Sequence, residues 1–241
     1  MTRAVRDARW RRWLALFTIA AVVAFVALDV VASRLAAEGY SMRRDYVSSL
    51  AAVGSSVGLL GQLCLIAYAV AHMVAGAVML TAWRTKVAGA FLVLAGILFT
   101  GTAAFRAHCG DGEAGCGLGE QGSAAGGPAA LEAGMHGVMA GLYALVMFAV
   151  FGIAAISAIW ERGATRVVAL LAIPFGWASF TGIGQMDAIG ATGAWERLWL
   201  GASVGWLVVV AVVALSRRSP ARPAGPSPGT PCATPGSPPG P

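Results

Sequence analysis

The sequence predicts an all-α, polytopic membrane helix bundle with six transmembrane helices. Of its 241 residues, 58% are hydrophobic and only 12% are charged. Soluble domains typically have about 45–50% apolar and about 25% charged residues. The apolar residues fall into long runs, and about 20 of them suffice to cross a bilayer. This composition excludes a largely disordered chain, disfavours an ordinary soluble enzyme core, and leaves no room for a large soluble domain.

Six apolar runs follow a basic N-terminus. Residues 1–13 contain five arginines, and no convincing cleavage site follows the first run, so we interpret it as a retained helix rather than a signal peptide. The transmembrane domain covers residues 14–215, with spans at 14–33, 57–83, 87–105, 136–160, 167–184 and 198–215. Residues 216–241 include nine prolines and predict a disordered cytoplasmic tail.

The basic residues predict the orientation in the membrane. With six spans, 12 of the 17 Lys and Arg lie on the side of the two termini, so the positive-inside rule places both termini in the cytoplasm of a cell-membrane protein. We call the opposite end of the bundle outer. The basic residues lie at span ends rather than on one face, so the net charge of +6 does not indicate nucleic-acid binding. We expect contact with membrane lipids and leave open a protein partner at the outer loops.

Two ionisable residues lie inside predicted spans, where an uncompensated polar group is costly. Asp29 is near the outer end of the first span, either as an interfacial carboxylate bonded to Arg34 or the outer loop, or as a functional group. His72 is about fifteen residues into the second span. It is either a buried structural histidine or a proton relay or ligand within the bundle.

His136 begins the fourth predicted span and follows Glu132 by four residues. If the helix already includes Glu132, this spacing puts carboxylate and imidazole on one face. A carboxylate there would raise the histidine pKa and orient its ring, as a general base requires. The alternative is an interfacial histidine that caps a helix start.

A polar segment at residues 40–55 has too many apolar residues for a solvated loop and too many charges for a span. We predict a re-entrant or interfacial segment, in which Arg43 and Arg44 can bind phosphate. Asp45 and Ser48 complete the candidate catalytic set with His136 and Glu132, although no histidine is adjacent to the serine in the sequence. The remaining candidate substrate-binding residues also map to the outer side: Arg106, Gln185, Glu196 and Arg197.

Cys109 and Cys116 lie in one predicted outer loop, where a disulfide is the default outside the cytoplasm. A metal site with His108 is the alternative, but its spacing fits no common zinc pattern. The chain has no P-loop, no dinucleotide-binding turn and no paired zinc motif, so we expect neither a cofactor nor a metal. The G-x-x-x-G pairs Gly137/Gly141 and Gly201/Gly205 are typical of close helix packing.

The run R-D-Y-V-S-S-L-A-x-x-G-S at residues 44–55 resembles the signature of the bacterial six-span membrane family designated domain of unknown function 998. The similarity continues in order through most of residues 14–215. It includes Phe105-Arg106, the two cysteines, His136-Gly137, Gln185, Glu196-Arg197 and Trp199. The chain departs from the pattern at Ser49 and Met186, where the resemblance leads one to expect an acid and an arginine. The resemblance implies a topology and a residue set, and no activity.

Three functions fit these observations. The first is an enzyme that acts on a lipid or prenyl substrate at an outer polar cup, with His136 as acid or base; a terpene cyclase that uses Asp29 and Glu196 is a variant of it. The second is a structural or accessory membrane subunit. The third is a proton-coupled transport or resistance protein with Asp29 and His72 on its path, which a shared water-filled cavity would favour.

Overall fold

The computed structural model describes residues 3–84, 86–107, 128–186 and 190–217, with side chains from residue 8 onward and, in the third range, from residue 131. Within these ranges it contains six α-helices that are long and apolar enough to cross a membrane. They are α1 (Arg3–Leu35), α2 (Gly58–Ala82), α3 (Val87–Ala104), α4 (Pro128–Ser157), α5 (Ala164–Gly184) and α6 (Thr192–Ser216). The prediction of an all-α bundle with six membrane-spanning helices is confirmed, and the orientation stays a prediction.

The helices form a closed ring in chain order, because α1 packs against both α2 and α6. The two most buried helices are α2 and α6, and they also contact each other across the bundle. Side chains add hydrogen bonds between neighbouring helices: the Trp206 indole donates to the carbonyl of Val168 at 3.1 Å. At the inner end, the Arg217 guanidinium donates to the carbonyl of Ala82 at 2.6 Å. Such contacts matter in a bilayer, where lipid is as apolar as the helices and packing must hold them together.

Small residues let α2 and α3 approach closely. A Cβ added at Gly76 would lie 2.7 Å from the carbonyl oxygen of Gly89, and one added at Gly96 would lie 2.6 Å from that of Ala69. Neither position accommodates a larger side chain without a backbone shift. Van der Waals packing of the two backbones therefore stabilises this pair of helices.

The predicted G-x-x-x-G packing is wrong for three of its four glycines. Gly205 packs against the ring of Phe175, where an added Cβ would lie 2.8 Å from a ring carbon. A Cβ added at Gly137, Gly141 or Gly201 would have no atom of the described residues within 4 Å. The pattern fails here because its spacing fixes a helix face and does not fix what that face meets.

The chain between α1 and α2 folds into the outer end of the bundle. Residues 46–52, which we call the plug, are all buried and contain a short 3-10 helix at Ser48–Ala51. The plug lies against the start of α2, where a Cβ on Gly61 would overlap the backbone of Leu50 and Ala51. Only glycine fits there, so this contact sets how deeply the plug is inserted.

Candidate functional site at the outer end

Two charged side chains hold the ends of the plug. The carboxylate of Glu196, from α6, accepts a hydrogen bond from the backbone N–H of Val47. The guanidinium of Arg106, which follows α3, donates to the carbonyls of Ala51 at 2.8 Å and Ala52 at 2.7 Å. A negative group thus meets the N-terminal end of the short helix and a positive group its C-terminal end. This pairing satisfies backbone groups that a helix leaves open and matches the direction of its dipole.

Arg197 fixes the chain that leads into the plug. Its Nε and Nη2 donate to the two carboxylate oxygens of Asp29 at 3.1 and 2.9 Å. Its Nη1 donates to the backbone carbonyls of Met42 at 2.7 Å and Asp45 at 3.1 Å. Its Nη2 also meets the hydroxyl of Tyr40 at 2.7 Å. One guanidinium therefore joins α1, α6 and the outer segment, and all of its N–H groups face acceptors within the chain.

Tyr40 extends this contact to the plug. Its hydroxyl donates to the backbone carbonyl of Tyr46 at 3.3 Å, next to the residue whose amide Glu196 binds. Burial raises the pKa of the Tyr40 phenol above its ordinary value, although the positive charge of Arg197 opposes this shift. The phenol thus stays protonated and keeps its O–H available as a donor. We call Asp29, Tyr40, Glu196 and Arg197 the α1–α6 cluster.

A second cluster lies where α3 ends and α4 begins. Helix α4 includes Glu132, as the predicted shared face with His136 requires. The Nδ1 of His136 lies 3.0 Å from the carbonyl oxygen of Thr102 and 2.8 Å from that of Phe105. The Glu132 carboxylate accepts a hydrogen bond from the backbone N–H of Arg106 at 3.2 Å. We call Arg106, Glu132 and His136 the α3–α4 cluster, and its described hydrogen bonds hold the end of α3 and the plug.

The contacts of His136 determine where its ring carries a proton. Both neighbours of Nδ1 are carbonyl oxygens, which only accept, so Nδ1 carries hydrogen and the neutral ring has its lone pair on Nε2. The side chain is only 4% exposed, so its orientation is fixed. Beside it, the hydroxyl of Thr102 is buried with no hydrogen-bond partner among the described residues. A histidine that is anchored to the backbone through Nδ1, and whose Nε2 has no hydrogen bond to the described residues, is suited to act as a base.

The other predicted site residues are placed less tightly. Arg43 and Arg44 are exposed, and the Arg44 guanidinium donates to the carbonyl of Gly39 at 2.7 Å. The Asp45 carboxylate accepts from the backbone N–H of Ser41 at 2.5 Å. Ser48 is buried in the plug, and Gln185 is exposed at the end of α5. The predicted cysteines, Cys109 and Cys116, and the adjacent His108 lie outside the described residues.

His72 belongs to a separate network in the middle of the bundle. Its Nδ1 lies 2.9 Å from the carbonyl of Tyr68, and its Nε2 lies 3.1 Å from the hydroxyl of Tyr143. The hydroxyls of Tyr143 and Tyr68 lie 2.5 Å apart. All three side chains are fully buried. The described hydrogen bonds therefore connect His72 with tyrosines of α2 and α4. Asp29 is connected with Arg197 instead, in a different network.

The sequence argument missed three buried polar side chains, two tyrosines of the central network and one acid at the inner end. Tyr68 precedes His72 by four residues on α2, a spacing that already places both on one helix face. Tyr143 stands in the middle of α4, where a hydroxyl needs a partner. Glu161, at the inner end, is 3% exposed and accepts from the backbone N–H of Arg84 at 2.9 Å. The signal for the two tyrosines was a hydroxyl within a span, and the signal for Glu161 was an acid at the end of a span.

A six-helix membrane bundle with a buried outer plug and two polar clusters is thus the class that fold and site define. The family described as "Protein of unknown function (DUF998)" matches residues 18–213. The chain belongs to this family. The comparisons with curated proteins and with solved structures found no match.

Proposed function

We propose that the protein is an enzyme that acts on a lipid or prenyl substrate at the outer end of the bundle, with His136 as its acid–base residue. One observation carries the proposal: the carbonyls of Thr102 and Phe105 bind Nδ1 and so leave the lone pair of the neutral ring on Nε2. General-base catalysis requires a base of fixed orientation within hydrogen-bond reach of the proton that it removes. In this proposal Nε2 takes a proton from a substrate hydroxyl or from water.

The other candidate residues then take two different roles. Arg106, Glu196 and Arg197 bind backbone groups or Asp29 inside the chain. They act as positioning residues that hold the plug, and a terpene-cyclase role for the carboxylates of Asp29 and Glu196 loses support. Arg43 and Arg44 are exposed, and we assign to them the binding of a substrate phosphate, which guanidinium groups suit. Asp45, Ser48 and Gln185 remain candidates at the same end.

The test uses substitutions to separate the two roles of His136, which are hydrogen bonding to the backbone through Nδ1 and the proposed action as a base through Nε2. Asparagine carries an amide N–H close to the position of Nδ1, so His136→Asn retains the donor to the carbonyls and lacks the base. His136→Ala lacks both. His72→Asn is the matched control, because it makes the same chemical change in the middle of the bundle, where Nδ1 also meets a carbonyl.

The readout is comparative lipidomics of a deletion strain that expresses each variant at equal level. We expect a lipid or prenyl species to accumulate in the deletion strain and to be cleared by wild type and by His72→Asn, but not by His136→Asn. Clearance by His136→Asn at the wild-type rate would contradict the role of His136. Lipid profiles identical in all strains would contradict the enzyme itself.

A second candidate function is a structural or accessory subunit. It is favoured by the number of outer polar groups that bind within the chain, above all Arg197, whose N–H groups all face internal acceptors. Such a protein would present its outer loops to a partner. Unchanged lipids together with a specific partner in a cross-linked pull-down would support this function over the enzyme.

A transport function has weaker support. The described hydrogen bonds place Asp29 with Arg197 and His72 with two tyrosines, so the two predicted relay residues belong to different networks. We further propose residence in the cell membrane with both termini in the cytoplasm, which 12 of 17 basic residues favour. A reporter fused after residue 217 should be active only if that end is cytoplasmic.

A further inference from the structure

A cleft opens at the inner end of the bundle, on the side opposite the plug. It has a volume of about 430 Å³ and is lined by Arg84, Ile159, Trp160 and Arg162. Arg84 follows α2, and the other three residues follow α4. The two chain segments are tied together, because the carboxylate of Glu161 accepts from the backbone N–H of Arg84 at 2.9 Å. The cleft is therefore a fixed feature of the fold.

The charge in the cleft is positive. Arg84 and Arg162 are both exposed, and neither guanidinium has a hydrogen bond within the described part of the chain. The nearest acid in the sequence, Glu161, is only 3% exposed, and its carboxylate binds the backbone at Arg84. Two guanidinium groups on one cleft suit a phosphate, whose oxygens can accept from both.

The apolar wall of the cleft indicates what carries that phosphate. Ile159 and Trp160 are 74% and 57% exposed directly after a membrane-spanning helix. Tryptophan is enriched at the level of lipid headgroups, and basic pockets between helices on the cytoplasmic side bind anionic headgroups. A free phosphate ion would leave both apolar side chains without a role. A phospholipid uses the arginines for its headgroup and the isoleucine and tryptophan for the start of its chains.

We propose that this cleft is a binding site for the phosphate headgroup of an anionic phospholipid in the inner leaflet. The site is independent of the proposed chemistry at the outer end. It binds one lipid between the α2–α3 turn and the α4–α5 turn, and so stabilises the inner end of the bundle.

The experiment measures lipid binding to the full-length protein in detergent by native mass spectrometry, with phosphatidylglycerol against phosphatidylcholine. The test variant is Arg84→Gln/Arg162→Gln. The matched control, Lys86→Gln/Arg166→Gln, removes the same charge from two exposed residues that do not line the cleft, one in the α2–α3 turn and one in the first turn of α5. We expect the test variant to lower the ratio of bound phosphatidylglycerol to phosphatidylcholine about tenfold or more and the control to leave it nearly unchanged.

Three outcomes would overturn the proposal. Equal binding of both lipids by wild type would show no preference for a negative headgroup. An equal loss in test and control variants would show that general surface charge is responsible. A rise in melting temperature with inorganic phosphate as large as that with phosphatidylglycerol would identify a site for free phosphate instead. Melting of all variants in phosphatidylcholine alone shows whether their fold is intact.

Discussion

Replacement of Arg197 by glutamine should destabilise the whole outer end of the bundle. The guanidinium binds both carboxylate oxygens of Asp29, two backbone carbonyls of the outer segment and the hydroxyl of Tyr40. Its side chain is 17% exposed, and that of Asp29 is 11% exposed. A glutamine amide cannot span these acceptors, so the variant leaves a carboxylate without its counter-charge and carbonyls without donors.

The size of the expected destabilisation depends on whether the lost hydrogen bonds or the lost ion pair costs more. Hydrogen bonds between membrane helices average only about 0.6 kcal/mol each. Removal of one partner of a buried ion pair costs about 3–5 kcal/mol, because the remaining charge is left uncompensated. The second effect is the larger, and it corresponds to about 6–20 °C in melting temperature for a chain of this size. Asp29→Asn/Arg197→Gln removes both charges and should recover part of this loss.

The assay is thermal unfolding of the full-length protein in detergent, with Arg44→Gln as the control. Arg44 is exposed and donates to a single carbonyl, that of Gly39, so its replacement should cost less than about 1 kcal/mol. Equal melting of the Arg197 and Arg44 variants would refute the positioning role. It would also return Arg197 to the substrate-binding residues. A double variant no more stable than Arg197→Gln would show that the pair with Asp29 is not the source of the effect.

Three further predictions concern the plug and the central network. Gly61→Ala should destabilise the fold by about 1–3 kcal/mol, since its Cβ would overlap the plug backbone, whereas Gly137→Ala, which meets open space, should be neutral or mildly stabilising in the same melting assay. Tyr143→Phe should cost about 1–3 kcal/mol by leaving His72 Nε2 without its partner. Because the pKa of Tyr40 is raised in the folded state, its contribution to stability is fully present below about pH 10 and is lost as the pH rises through the folded-state pKa. Tyr40→Phe has no phenol to ionise, so it should lose less stability than wild type above about pH 10.

The fold was predictable because a bilayer imposes a simple length rule. Every backbone polar group in the hydrocarbon must be satisfied within a helix, so long apolar runs can form only spans. The helix ends were less accurate: α4 begins at Pro128, whereas the apolar run suggested residue 136. The extra turns lie before His136 and contain Glu132, whose polarity hid them from a hydropathy argument. That error matters, since it moves His136 from a helix start to a buried position within α4.

The roles of the site residues were not predictable, because they depend on contacts between distant parts of the chain. Asp29 and Arg197 are 168 residues apart in sequence, and Val47 and Glu196 are 149 apart. The sequence was sufficient to place these residues at one end of the bundle, because the order of the spans determines at which end each loop lies. The sequence could not show that most of these charged side chains form hydrogen bonds with backbone carbonyls and amides of the plug and the chain before it. Residue type alone does not distinguish a group that binds substrate from one that binds backbone.

The two polar clusters perform the same physical task from opposite sides. The α1–α6 cluster binds the chain before the plug and the amide of Val47 near its start, and the α3–α4 cluster binds its last two carbonyls through Arg106. A short segment buried among helix ends has backbone groups that water cannot reach, and charged side chains supply the missing partners. Among the ionisable candidate residues at this end, His136 Nε2 and the exposed Arg43 guanidinium have no hydrogen bond to the described residues. The proposed chemistry at the outer end therefore rests first on His136, which lies beside a plug that these clusters hold in place.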